Sequence, residues 1–173
     1  MPEWAASLEI KLMAAFSLRA ATAADVPTLH RLMRDFAVHE RAQERFQITE
    51  AALHTALFTP NPPICGTLAI SDGKIVGFAL WFLFFGTFSG RYGLWVANIY
   101  VEESYRGIGI GLVLFRHMAR IAVEKDCATI QWDVNEWNTQ AIEFYDRIGA
   151  TPVSATRLTK ELHGEALTKL ATE

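Results

Sequence analysis

Cysteine is scarce in this chain: the two present, Cys65 and Cys127, stand far apart and form no CxxC spacing. That excludes a disulfide framework and a thiolate zinc site, and each is expected to be a small buried apolar residue. A surplus of positive charge is also missing, since 16 Lys and Arg face 19 Asp and Glu. Gripping a nucleic-acid backbone needs a concentrated basic surface, so that class of function is excluded. The longest apolar run, Ile75 to Phe85, falls well short of the ~20 residues that a membrane-spanning helix requires. It reads as a buried strand. The N-terminal stretch carries Glu3 and Glu9 where a secretory signal would be basic, so a cytoplasmic protein is expected. Repeats, linkers and low-complexity segments are absent as well.

What is present suffices for one ordinary domain. With 51% hydrophobic and 12% aromatic residues in 173, the chain can build a core. Residues 1–16 read as an extension and residues 17–173 as a single domain. Ser17 to Ala21 is a short strand candidate, and Thr22 offers an N-cap to a helix with Val26, Leu29, Leu32, Met33 and Phe36 on one face. Thr49 opens a second helix, which the prolines of Thr59 to Pro63 stop. Asp72-Gly73 then supplies the positive φ angles of a tight hairpin between Leu68–Ser71 and Lys74–Phe85. Tyr92 to Val101 returns as a further strand. A helix beginning in Arg106 to Gly111, a strand over Thr129 to Val134, a helix over Asn138 to Ile148 and a final strand over Thr156 to Leu162 complete the reading.

The most informative segment is Tyr105-Arg106-Gly107-Ile108-Gly109-Ile110-Gly111. A strand that feeds a glycine-rich turn and then a helix leaves several backbone N–H groups facing one concavity, where the helix dipole favours an anion. Arg106 adds a cation, and a pyrophosphate fits such a site. Three alternating glycines can also be only a tight turn. No Lys-Ser/Thr follows them, and their spacing is not GxGxxG, so both common nucleotide-binding loops are disfavoured.

The run Val101 to Gly111 resembles the acyl-CoA loop of the GNAT acetyltransferases, Q/R-x-x-G-x-G/A. Asn135-Glu136-Trp137-Asn138, with Ala141 to Tyr145 and Ile148-Gly149-Ala150, resembles the second signature of that family, in its diamine N-acetyltransferase branch. Leu18 to Asp25, Gly77-Phe78-Ala79 and, more weakly, Arg157 to Leu170 extend the likeness over nearly everything after residue 17. The resemblance implies an α/β (α+β) fold, a mixed and mostly antiparallel sheet flanked by helices. It also implies acetyl transfer from acetyl-CoA to a primary amine in a ternary complex, with no metal.

Carried over by position, the resemblance makes the amides of Gly107, Ile108, Gly109, Ile110, Gly111 and Leu112 the pyrophosphate cradle, beside Arg106. Ile99, Tyr100 and Val101 become the strand edge for the pantetheine arm, and Asn138, Gln140 and Ala141 a second cofactor segment. Asn138 could equally serve only as an N-cap. Tyr145 corresponds to the family's general acid; read without the resemblance, it is one residue of an amphipathic helix. A phenol of pKa ~10 protonating a thiolate of conjugate-acid pKa ~8.5 works uphill by roughly 2 kcal/mol, so hydrogen bonding to sulfur can matter more than full transfer.

An attacking amine of pKa ~10 must lose a proton. Glu40 is the favoured candidate to take it, with His39 beside it where the branch often has Tyr. Glu40 can also be a solvated helix end. Asp133 is a second carboxylate, which faces the acceptor cleft if its strand alternates through Ile130 and Val134. Glu136 and Trp137 match the motif or merely shape its loop.

The chain departs from the diamine pattern at Ala97-Asn98, where polyamine enzymes carry an acidic pair, so a smaller or amino-acid-like amine becomes plausible. Trp81, Phe82, Phe84, Phe85 and Phe88 exceed what one small core hides, and a homodimer is expected. Three readings compete: a non-catalytic acyl-CoA sensor, a nucleotide-binding regulator, and an acetyltransferase acting on protein or aminoglycoside amines.

Overall fold

Asp72 and Gly73, at φ 48° and 74°, close the hairpin that organises the sheet. Two successive positive φ values match the right-handed twist of the strands they join. In the computed structural model, which describes residues 16–153 and 164–172, five strands lie side by side in sequence order. They are β1 (Ser17–Ala20), β2 (Cys65–Ser71), β3 (Lys74–Gly86), β4 (Arg91–Val101) and β5 (Thr129–Gln131). The first four pair antiparallel, and β5 joins β4 in parallel. The parallel pair needs a crossover. Helix α3 (Ile110–Glu124) provides it.

Two helices cover one face of this sheet, α1 (Val26–His39) and α2 (Glu50–Phe58). Leu29 and Leu32 of α1 and Leu53 of α2 are fully buried against Leu68 and Phe78. Helix α3 covers the other face, where Ile110, Leu114 and Met118 pack on Val76, Leu94 and Val96. Each such side chain contributes about 1.5–3 kcal/mol by leaving water. These elements belong to one compact unit, Met1–Asp133. A second unit, Val134–Glu173, holds α4 (Thr139–Arg147) and α5 (Gly164–Thr172).

Several expectations change. The strand expected over Thr129 to Val134 ends at Gln131, so Trp132, Asp133 and Val134 are irregular backbone. Alternation along a strand therefore cannot aim Asp133, and it lies exposed. The strand expected over Thr156 to Leu162 falls outside the described residues. Cys65 and Cys127 are free and half-buried rather than fully enclosed. Trp81 is not surplus: it is 8% exposed, and its indole N–H donates to Thr67 Oγ1 at 3.2 Å. The second half of β3 is not the buried strand expected, because it extends past the end of β2, where Cys65 pairs with Trp81.

A charged core residue was not anticipated. Asp25, 8% exposed, accepts two hydrogen bonds from the Arg19 guanidinium, at 2.6 and 2.7 Å. It also accepts from the Thr22 N–H at 2.8 Å and from the Thr22 hydroxyl at 2.7 Å, closing the first turn before α1. Hydrogen bonding from Arg19 holds this carboxyl well below the usual carboxylate range, against the opposing effect of burial and with further help from Thr22. A depressed folded-state pKa gives stability that is present above the unfolded value of ~3.9 and is lost as pH falls towards the folded one. Asp25→Asn is expected to cost about 2–3 kcal/mol at pH 7, at the lower end because Arg19 is partly solvated. Urea unfolding should show the gap to wild type narrowing by about 1 kcal/mol at pH 3. A gap independent of pH would refute this account.

Candidate active site

The loop ahead of α3 is built by two left-handed glycines. Gly107 has φ 77°, and Gly109, the N-cap of α3, has φ 96° and ψ −1°. An L side chain rarely adopts either conformation. The first backbone donor after the loop is Val113, whose N–H reaches Gly109 O at 3.1 Å. Among the described residues, none of the N–H groups of Gly107, Ile108, Gly109, Ile110, Gly111 and Leu112 donates to another backbone group. A Cβ built on Gly107 meets nothing within 4 Å, so the space beside the loop is open. Unsatisfied donors at the positive end of a 15-residue helix suit a pyrophosphate.

The strand leading to the loop has an open edge. β5 pairs only with Gly93, Leu94 and Trp95, so among the described residues β4 has no partner strand on that side from Val96 onward. The Glu102 N–H points the other way, donating to Val76 O at 2.9 Å. Antiparallel alternation then turns the main-chain groups of Tyr100 and Asn98 towards β3 and those of Ile99 and Val101 towards the open edge. On β4, Asn98 pairs with Leu80 while Val96 pairs with Trp81, so Ala97 is an unpaired bulge. Bulges re-aim the strand next to them and recur beside active sites.

Polar groups gather beside this edge. Arg106 Nε donates to Val101 O at 2.9 Å, and the guanidinium carbon lies 5.3 Å from the centre of the Tyr100 ring. Arg106 is therefore held against the strand by a carbonyl and an aromatic face, and it forms no ion pair among the described residues. His39, the last residue of α1, lies 6.3 Å from the same ring, centre to centre. Burial and then the Arg106 charge push the His39 imidazole down, against Glu40 and Glu103. Burial pushes the Tyr100 phenol up. Arg31 bridges Asp35 at 2.9 Å and Glu102 at 2.8 Å, tying α1 to the residue after β4. Glu40 is the C-cap of α1, with its N–H on Phe36 O at 2.8 Å.

The second unit holds the other candidates. Asn138 caps α4, its side chain accepting from the Ala141 N–H at 3.2 Å. Capping is thus the role the geometry gives Asn138, with Gln140 exposed in the first turn. Tyr145 is half-buried, its ring 5.4 Å from that of Phe144, and its carbonyl accepts from Ile148 and Ala150 where the helix ends. Glu136 and Trp137 lie in the exposed turn before it. Sequence reasoning missed the Arg31 bridges and the bulge at Ala97. The i, i+4 spacing of Arg31 and Asp35 could have flagged the first, whereas a bulge has no signal in one strand alone.

The profile of the Acetyltransferase (GNAT) family matches residues 26–150. A thialysine N-epsilon-acetyltransferase of Mus musculus is 30% identical, over 92% of this chain and 99% of that protein. An L-ornithine N5-acetyltransferase of Arabidopsis thaliana is 28% identical, over 87% of this chain and 85% of its own length. Among solved structures, an integron cassette protein of V. cholerae superposes with a TM-score of 0.76 at 23% identity, covering 92% of this chain and 99% of that one.

Proposed function

The chain belongs to the GNAT family of acetyltransferases, and from that premise we propose that it transfers acetyl from acetyl-CoA directly to a primary amine of a small molecule. One observation carries the reading: six successive main-chain donors, Gly107 to Leu112, lie unspent at a helix N-terminus beside an open strand edge. They fit the pyrophosphate of the co-substrate. Ile99 and the N–H of Val101 offer main-chain groups to an amide-bearing arm, as an added strand would use them. Arg106, already fastened to Val101 O, adds positive potential rather than a fixed clasp. When bound, acetyl-CoA supplies an activated thioester; the chain's own residues hold it, exclude water and manage protons.

Tyr145 is assigned the proton or hydrogen bond that the departing thiolate needs. Glu40 is assigned the proton that the attacking amine must lose, taken directly or through water, and contact with the acceptor. Relatives named for thialysine and ornithine, together with the uncharged Ala97-Asn98, favour an amino-acid-like amine over a polyamine. The test is a screen of thialysine, ornithine, diamines, polyamines, aminoglycosides and peptide N-termini, following released thiol. Turnover is expected with a side-chain amine of an amino acid. Binding of ATP with no response to acetyl-CoA would reject the reading.

A homodimer is part of the proposal. Phe85, Phe88 and Tyr92, at 55, 102 and 52% exposed, crowd the tip of the β3–β4 hairpin. Phe82 and Phe84 are half-buried and pack on Trp95, so they add less to such a surface. Light scattering should give twice the 19.4 kDa chain mass, and a monomer at micromolar concentration would remove the claim.

A further inference from the structure

A ligand held at two places binds tightly only when those places keep the spacing that its own length demands. Here the two places are the open edge of β4 and the donor row that opens α3. The edge is fixed from the β3 side: Val101 pairs with Gly77, and the Glu102 N–H donates to Val76 O at 2.9 Å. A Cβ built on Gly77 would stand 2.7 Å from Tyr100 O, so the two strands close tightly there. The Glu102 carboxylate is held as well, by Arg31 at 2.8 Å. The start of α3 is fixed by packing, since Ile110 is 1% exposed in the core.

The stretch between these anchors has little of its own to hold it. Gly107 and Gly109 take positive φ, Ile108 is 47% exposed, and nothing lies within 4 Å of where a Cβ on Gly107 would stand. None of the three N–H groups donates to another backbone group among the described residues. The Arg106 side chain returns from the start of this stretch to the strand. Its Nε donates to Val101 O at 2.9 Å, and its guanidinium carbon lies 5.3 Å from the centre of the Tyr100 ring. The bond closes a loop from Val101 to Arg106. Inside it, Tyr105 N–H donates to Glu102 O at 2.9 Å and Arg106 N–H to Glu103 O at 3.1 Å.

We propose that Arg106 is a positioning residue whose side chain sets the spacing between the strand edge and the diphosphate cradle, so that one molecule of acetyl-CoA can use both. This rests on the acetyl-transfer reading above. The same bond spends the Val101 carbonyl, which leaves three main-chain groups at this end of the edge: the N–H and C=O of Ile99 and the N–H of Val101. A free carbonyl there would admit a second register, two residues or about 7 Å along the strand. With it capped, an added chain of amides leaves the strand at Val101, towards the loop. The charge of Arg106 acts on any ligand that carries a diphosphate. The spacing acts only on a ligand that also carries the arm, so the two contributions are separable.

The experiment compares wild type with Arg106→Met, whose unbranched side chain has no donor, and with Arg106→Lys, which keeps the charge but puts a methylene where Nε stands. Calorimetry measures the dissociation constant of dephospho-CoA, and that of ADP by displacement, while a thermal melt checks each fold. ADP carries the adenosine and the diphosphate without the arm, so the ratio of its dissociation constant to that of dephospho-CoA reports what the arm contributes. That ratio should fall about tenfold in both variants, with ADP binding to Arg106→Lys staying within threefold of wild type. A ratio within threefold of wild type in Arg106→Met overturns the assignment. So does an Arg106→Lys protein that keeps the wild-type ratio, because charge alone would then suffice. Those results leave acetyl transfer itself standing. A wild type in which ADP does not displace dephospho-CoA, or that binds neither, removes the diphosphate cradle and both readings with it.

Discussion

Replacing Gly109 with valine is expected to weaken acetyl-CoA binding by about 10²- to 10⁴-fold while leaving the protein folded. Gly109 sits at φ 96°, in left-handed backbone that L side chains rarely adopt, and a β-branched side chain tolerates it least. The backbone must rotate, and the neighbouring N–H groups turn with it. A charge-assisted hydrogen bond is worth about 1.5–3 kcal/mol, so spoiling two of the donors from Gly107 to Leu112 already accounts for the loss. The strain itself costs only about 1–3 kcal/mol of stability. Calorimetric titration with acetyl-CoA and a thermal melt separate the two effects. Tight binding retained by a folded Gly109→Val protein would show that the amides do not hold the diphosphate.

The second large effect is expected at Tyr145. Phenylalanine preserves the ring and its contact with Phe144 at 5.4 Å, so neither stability nor acetyl-CoA affinity should move. What disappears is one O–H donor. A hydrogen bond to an anion contributes about 1.5–3 kcal/mol, and proton transfer adds to it, so kcat should fall about 100-fold. The full transfer is uphill by roughly 2 kcal/mol when a phenol of pKa ~10 meets a thiolate of ~8.5. Most of the loss should therefore reflect stabilisation of sulfur in the transition state, and KM should hardly change. Rapid-quench measurement of a single turnover tests this directly. A Tyr145→Phe enzyme turning over within threefold of wild type would return Tyr145 to an ordinary place on an amphipathic helix.

Much of the scaffold was legible in advance, because the features that specify it act over a few residues. Asp72-Gly73 can make one kind of turn, and it does. Thr49 and Asn138 cap the helices that follow them, through bonds to Ala52 and Ala141. The glycines at 107 and 109 take the positive φ that their neighbours could not. The exposed tip of β3 was harder. Its apolar run is continuous, and nothing within it says that β2 stops opposite Trp81, leaving Phe85 uncovered. Asp133 shows the same limit: the two-residue period suggested a facing, but pairing with β4 ends at Gln131 and the period ends with it.

The amino-acid order by itself determined the loop, the caps, the hairpin and the family, since each depends on backbone angles and hydrogen bonds closed within four or five residues or on a motif read directly. Only the tertiary structure decided which polar groups meet. The bulge at Ala97 exists because two strands disagree in register, and neither strand carries that information alone. Arg106 turns back to Val101, Tyr100 brings Arg106 and His39 to one ring, and Asp25 finds Arg19 in the core. Such contacts depend on packing between segments distant in the chain or on where a long side chain comes to rest. Their energies are collective, and no local propensity encodes them.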